Sequence, residues 1–192
     1  MSCIKYNGVV SAFPGVGKSF IHKNAAKYNA ISIPFGETIE YDYVVIQSYH
    51  GKVVLDSDSA NFDKRFFPNN YINHIEPISK LCNEFVILVS SHDNVRREMR
   101  NRKIEYTLVY PDRSLKREYI ERYKKRGSPQ AFIDLMEAKW DDFIDDCEND
   151  PSDKLVLRSG EYLKDVLVRN SQIKRRFLRL KEFLASIFLK GM

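Results

Sequence analysis

The chain has 192 residues, of which 43% are apolar, 12% aromatic and 30% charged. This length suits one compact domain, and the apolar content excludes a disordered chain. No apolar run reaches the ~20 residues that a membrane span needs, and the first residues lack the pattern of a signal peptide. Three scattered cysteines exclude a disulfide framework and indicate a cytoplasmic protein. The net charge of +5 leaves nucleic acid open as a partner.

Short apolar strands alternate with helical patterns along the chain. This alternation predicts an α/β fold with about five mainly parallel strands and helices on both faces of the sheet. The segment 30–52 is ambiguous, since its Val44-Val45-Ile46 run suits a strand or a helix. The predicted elements in chain order are strand 8–13, helix 19–28, strand 52–55, strand 85–89, helix 94–102, strand 107–110, helices 114–126 and 129–147, strand 154–157, helix 161–168 and helix 171–189.

The first strand runs into a segment, 12–19, that fits the phosphate-binding loop pattern except that Ala12 stands where the first glycine is usual. Glycines let backbone N–H groups approach a phosphate closely, and the following lysine and serine supply a positive charge and a Mg²⁺ ligand. An ordinary strand–turn–helix is the structural alternative. The predicted nucleotide-binding residues of the loop are Phe13, Pro14, Gly15, Val16, Gly17, Lys18 and Ser19.

Two carboxylates, Asp56 and Asp58, follow the second predicted strand. One could hold Mg²⁺ and the other could accept the proton of an incoming hydroxyl. An Asx turn or a helix N-cap is the structural alternative.

The loop and the Leu-Asp-Ser-Asp-Ser sequence at 55–59 resemble the P-loop kinases of the nucleoside-monophosphate, shikimate and gluconate kinase group. The segments 56–62, 67–75, 89–92 and 108–111 are similar to small bacteriophage P-loop proteins described as nucleoside or nucleotide kinase-like. This likeness covers most of residues 8–150. It implies ATP and Mg²⁺, with Asp56 on the metal side and Asp58 on the acceptor side, and for a phage-encoded chain it implies the host cytoplasm.

Seven basic residues lie in or beside the predicted helix 114–126. Kinases of this group close an arginine-bearing lid over the phosphates, so the resemblance implies a lid at about 111–128. Arg122 and Arg126 share one helical stripe and are the predicted catalytic arginines, with Arg113 and Arg117 as further nucleotide contacts. A solvated basic face is the alternative. The segment 134–153 carries nine acidic residues that could pair with this helix.

The acceptor would lie beyond the ends of the second and third predicted strands. There Asp58, Asn70, Tyr71 and His92 are the predicted substrate-binding residues. A turn built on Pro68 with a core tyrosine is equally natural.

These features predict a P-loop kinase domain over residues 1–170 that transfers a phosphoryl group from ATP to a nucleoside, a nucleotide or a similar small acceptor. A kinase acting on modified bases in phage DNA and a nucleotide-binding ATPase are the alternatives. Residues 171–192 are predicted to form a basic amphipathic helix, and they hold six Lys and Arg against one Glu, so the whole charge excess lies there. Packing on the domain, homo-oligomerisation and DNA binding are all open for this helix.

Overall fold

The computed structural model describes residues 8–23, 32–35, 41–46, 52–57, 59–80 and 85–166. The strands are β1 Gly8–Ala12, β2 Ser32–Phe35, β3 Tyr41–Ile46, β4 Lys52–Asp56, β5 Phe85–Ser90, β6 Tyr106–Pro111 and β7 Asp153–Leu157. The helices are α1 Lys18–Lys23, α2 Asn69–Lys80, α3 Asp93–Asn101, α4 Lys116–Lys125, α5 Gln130–Ala138 and α6 Trp140–Glu148, with a further helical turn at 163–166. None of the helices in these ranges is long and apolar enough to cross a membrane.

The strands form a sheet in the order β2-β3-β4-β5-β1-β6-β7. The run from β4 to β7 is paired parallel, whereas β2 and β3 extend the sheet by antiparallel pairing. After β1 the next strand is β2 at one edge of the sheet, and β3, β4 and β5 lead back to β1. The chain then crosses β1 to reach β6, so the strand order reverses beside β1. Ligands of open α/β sheets bind at the carboxyl ends of the strands at such a reversal. The segment that follows β1 occupies that position.

The predicted α/β class with a parallel sheet is confirmed. The ambiguous segment 30–52 contributes β2 and β3. The predicted helix 129–147 is instead two helices, α5 and α6, because Lys139 leaves the helical conformation with φ −109°. This break lets Trp140 turn fully into the core, where its indole N–H donates to the carbonyl oxygen of Arg113 at 2.9 Å. The predicted C-terminal helix lies outside the described residues.

Helix α2 is absent from the sequence-based prediction. Pro68 before it and Pro77 inside it both indicate a break in a helix. Yet Tyr71, Ile72 and Ile75 lie on one face of α2 and are fully buried. Burial of that face stabilises the helix more than local propensity disfavours it.

An aromatic cluster joins the segment after β1 to α4 and α6. The rings of Phe13 and Trp140 lie 5.7 Å apart, and Tyr119 lies 5.5 Å from Trp140 and 6.3 Å from Phe13. All three side chains are buried. Phe13 packs edge to face against both other rings, a geometry that aromatic pairs prefer, so the cluster helps to set where α4 lies relative to the loop.

Candidate functional site

The loop after β1 is closely enclosed by two tyrosines. Gly15 and Gly17 have φ values of +82° and +103°. A Cβ atom on Gly15 would lie 2.7 Å from Cε1 of Tyr123, and one on Gly17 would lie 3.3 Å from Cδ1 of Tyr162. Both positions therefore require glycine, for conformation at each and for space above all at Gly15. The loop has the glycine-dependent backbone that the sequence predicts for residues 13–17.

The surroundings of Ala12 show how alanine fits where the usual pattern has glycine. This residue pairs with Ser90 of β5 and Val109 of β6 and is fully buried, so the site accommodates a methyl side chain. Its carbonyl oxygen accepts a hydrogen bond from Nζ of Lys18 at 2.6 Å. The lysine is thus held at the base of the loop, where α1 begins, and the next residue, Ser19, is exposed.

The predicted lid segment, 111–128, packs directly on the loop. Tyr119 and Tyr123 of α4 are fully buried, and the hydroxyl of Tyr123 donates to the carbonyl oxygen of Pro14 at 3.0 Å. Burial raises the pKa of both phenols, so both stay neutral at neutral pH. Helix α4 is therefore part of the core that shapes the loop.

Arg122 contacts two aromatic rings. Its guanidinium carbon is 4.5 Å from the ring centre of Tyr119 and 4.1 Å from that of Tyr162. Its Nη2 donates to the carboxylate of Glu118 and, at 3.2 Å, to the carbonyl oxygen of Glu161. Its Nη1 is buried and has no hydrogen-bond partner among the described residues.

The other predicted arginines divide into two groups. Arg126 stacks 4.9 Å from the ring centre of Tyr123 and lines the same cavity as Arg122. Arg113 does not line the cavity, because its guanidinium pairs with three acidic residues of α6, namely Asp141, Asp145 and Glu148. Arg117 is exposed on α4 and is not on the cavity wall. The predicted nucleotide contacts of Arg113 and Arg117 thus disagree with their positions.

On the other side of the loop, Tyr71 joins the ends of β4 and β5. Its hydroxyl donates to the carbonyl oxygen of Ser57 at 2.7 Å and accepts from the backbone N–H of Ser90 at 3.1 Å. Because Tyr71 is fully buried, its predicted contact with an acceptor disagrees with its position. Asn70 is likewise occupied, since its Nδ2 donates to the carbonyl oxygen of Asp63 at 3.0 Å and its Oδ1 accepts from the N–H of Tyr71.

His92 stands at the rim of the cavity, beyond the end of β5. Desolvation lowers the pKa of its imidazole, and the positive charges of Lys18, Lys64 and Arg96 lower it further. The ring is therefore neutral at neutral pH and can both donate and accept a hydrogen bond.

The two predicted carboxylates are described incompletely. Asp56 is the last residue of β4, where its backbone pairs with Leu88. Its side chain and the whole of Asp58 lie outside what the structure describes. Within the described residues, no group of three or more His, Cys, Asp and Glu side chains could hold a metal ion by itself.

One cavity of about 700 Å³ unites these elements at the carboxyl ends of the strands. Four cations border it, Lys18 at the loop and Arg122, Lys125 and Arg126 on α4 or just after it. Hydroxyl groups and an imidazole border the side that follows β4 and β5, namely Ser57, Ser59, Ser90 and His92.

Glu118, Ser57 and Tyr162 are among the residues of this site that are absent from the sequence-based prediction. Tyr162 and Ser57 each follow a parallel strand at the same sheet edge, and that position is the signal that could have found them. Glu118 precedes Arg122 by four residues, a spacing that brings two helical side chains together.

Comparisons with protein-family models, with curated proteins and with solved structures found no match to this chain.

Proposed function

We propose that this chain is a P-loop phosphotransferase that moves the γ-phosphoryl group of ATP to a hydroxyl or phosphate of a nucleoside, a nucleotide or a related small molecule. The observation that carries the proposal is the loop itself. Two glycines with positive φ, followed by Lys18 and Ser19 at the start of α1, open into a cavity bordered by arginines. Such loops bind phosphate through backbone N–H groups and a lysine.

The nucleotide fits the cationic side of the cavity. Lys18 and the loop N–H groups would bind the β- and γ-phosphates, and Arg122 and Arg126 would neutralise charge on the group in transfer. The position of Arg122 supports this role, because its side chain lines the cavity and keeps 12% of its surface exposed.

The donor set also suits Mg²⁺, an ion that prefers oxygen ligands and retains several waters. Ser19 offers a hydroxyl on the cavity wall, and Asp56 offers a carboxylate residue at the end of β4. The bound ion would supply charge neutralisation on the phosphate oxygens. Asp58 would then orient or deprotonate the acceptor, with His92 as a neutral hydrogen-bonding group beside it.

The experiment is a radiolabelled-ATP assay against nucleosides, nucleotides and oligonucleotides. The wild-type chain should place label on an acceptor, and Lys18→Ala should abolish the transfer. Lys124→Ala is the matched control, since Lys124 is exposed, pairs with Glu121 and does not line the cavity. Label found only as free phosphate would favour the ATPase, and full activity of Lys18→Ala would refute the proposal.

A polymeric acceptor is a second candidate, favoured by the turn that follows Asp63. Phe66 is 63% exposed there, and the guanidinium of the exposed Arg65 lies 5.6 Å from its ring centre. The neighbouring Lys64 donates to the carbonyl oxygen of Ser59, a residue of the cavity wall. Exposed aromatic rings flanked by cations suit single-stranded nucleic acid, so this turn would hold a strand beside the acceptor side of the cavity.

A further inference from the structure

Glu118 makes more hydrogen bonds than a surface helix pair requires. Its Oε1 accepts from Nη2 of Arg122 and from the backbone N–H of Gly160 at 3.1 Å. Its Oε2 accepts from the hydroxyl of Ser159 at 2.8 Å. Desolvation raises the pKa of this carboxyl, but these donors outweigh desolvation and hold the pKa below its usual range. Glu118 is therefore an ionised carboxylate with three donors from two parts of the chain.

These bonds connect α4 to the turn that follows β7. The same turn supplies the carbonyl oxygen of Glu161 to Arg122 and places Tyr162 over both Arg122 and Gly17. The loop, the arginine and the turn thus meet at one point. A displacement of the turn would move the aromatic wall of the loop and one hydrogen-bond partner of the arginine together.

The orientation of Arg122 is consequently set from several sides. Contacts with the rings of Tyr119 and Tyr162 restrict where the guanidinium can lie, and the hydrogen bonds of Nη2 restrict its rotation. Nη1 is left without a partner in the described part of the chain, in a side chain that lines the cavity. A planar guanidinium held in this way presents its remaining donors in a fixed direction.

Resting on the proposed phosphotransfer, we propose that Glu118 is a positioning residue that holds Arg122 in the orientation needed to bind the phosphates of ATP. Glu118 does not touch the nucleotide in this scheme and acts through the arginine alone. Its negative charge by itself would repel a polyphosphate. Loss of the carboxylate must therefore weaken ATP binding if positioning dominates and strengthen it if charge dominates.

A double-mutant cycle tests the proposal on the full chain, with Glu118→Gln, Arg122→Ala and the double variant. Calorimetry gives Kd for ATP with Mg²⁺, and the labelled-ATP assay gives kcat. Glu118→Gln should raise Kd about threefold and lower kcat about tenfold, because small misplacements of a positioned group cost rate. Arg122→Ala should lower kcat about a thousandfold, and the double variant should match it in both constants.

Glu121→Gln is the matched control, because Glu121 lies on the same helix but is exposed and pairs only with Lys124 among the described residues. It should leave both constants unchanged. Thermal unfolding of each variant checks the fold. Where Glu118→Gln is unstable, Ser159→Ala removes one of the three donors from an exposed residue and should shift Kd and kcat in the same direction by a smaller factor.

Three results would overturn the proposal. The first is that Glu118→Gln binds ATP more tightly than the wild type does, and the second is that it loses as much binding and rate without Arg122 as with it. The third is that Glu118→Gln has the same Kd and kcat as Glu121→Gln. Binding of ATP without transfer to any acceptor would refute the phosphotransferase, while the cycle in Kd would still decide the role of Glu118. No binding of ATP at all would overturn both.

Discussion

The hydroxyl of Tyr123 donates a 3.0 Å hydrogen bond to the carbonyl oxygen of Pro14, and its ring fills the space beside Gly15 where a side chain would otherwise begin. Helix α4 and the loop after β1 therefore shape each other. Contact with the loop holds α4 in place, and α4 carries Arg122 to the cavity, with Arg126 directly after it. The positions of these two arginines therefore depend on aromatic packing.

Gly15→Ala should impair nucleotide binding more than its conformational cost alone predicts. The φ of +82° disfavours alanine by about 1–2 kcal/mol, and the new methyl group would also displace the ring of Tyr123. Gly127→Ala is the control, since Gly127 has a similar φ of +72° but open space around its Cβ position. Calorimetry with ATP should show weaker binding for Gly15→Ala alone, and equal binding by the two variants would contradict this packing.

Asp150→Asn should destabilise the fold strongly. Asp150 is buried and bonds to Arg96 and Arg100, each at 2.6 Å, and to the hydroxyl of Tyr106 at 2.9 Å. Loss of the Asp150 charge leaves the buried guanidinium of Arg96 without its ion-pair partner, which costs about 3–5 kcal/mol in the free energy of unfolding. Urea denaturation measures the loss.

The exposed pair Lys139–Asp142 provides the comparison for that experiment, because both side chains are more than half exposed. Asp142→Asn should change the free energy of unfolding by less than about 0.5 kcal/mol. If Asp150→Asn and Asp142→Asn lower the free energy of unfolding by similar amounts, the buried hydrogen bonds of Asp150 do not stabilise the fold.

The glycine-dependent turn after β1 could be predicted from the sequence because its pattern is local. Consecutive residues supply the strand, the glycines, Lys18 and the start of α1, so a short pattern specifies them all. The role of Arg113 could not be predicted in this way. Its three acidic partners on α6 are 28, 32 and 35 residues away, and only the fold brings them together.

Tyr71 illustrates the same limit for the acceptor side. An aromatic residue beside amides suits a ligand clamp or a core position, and the sequence contains no signal that separates them. Helix α2 decides the question, because its packing buries Tyr71 between the ends of β4 and β5. The existence of α2 depends on that burial, which no window of local sequence reports.

His92 should make the protein less stable in mild acid. Its pKa in the folded protein lies below the usual value near 6.5, so between these two values the unfolded chain binds more protons than the folded one. Stability therefore falls as the pH decreases from about 6.5 towards the folded pKa, and the dependence ends below it. The melting temperature of His92→Gln should decline less than that of the wild type between about pH 7.5 and 5.5.

A part of the decline should remain in that variant, because burial also lowers the pKa of His74. The double variant with His74→Gln should lose that part as well. An unchanged pH dependence in both variants would show that neither imidazole is shielded from protonation in the folded protein.

Phe66→Ala should separate a polymeric acceptor from a small one. Because the side chain is 63% exposed, its loss should not disturb the core, and any effect should come from the ligand. Stacking on an aromatic ring is worth about 1–3 kcal/mol per base, so KM for an oligonucleotide acceptor should rise by about fivefold or more while KM for a free nucleoside stays unchanged. Leu135→Ala, at a 50% exposed position on α5, is the control and should alter neither constant.

A chain that ends at Asn170 tests whether the C-terminal segment binds the strand instead, because residues 171–192 carry the whole net charge of +5. Loss of oligonucleotide phosphorylation in the shortened chain, with full activity in Phe66→Ala, would assign strand binding to the tail and not to the turn.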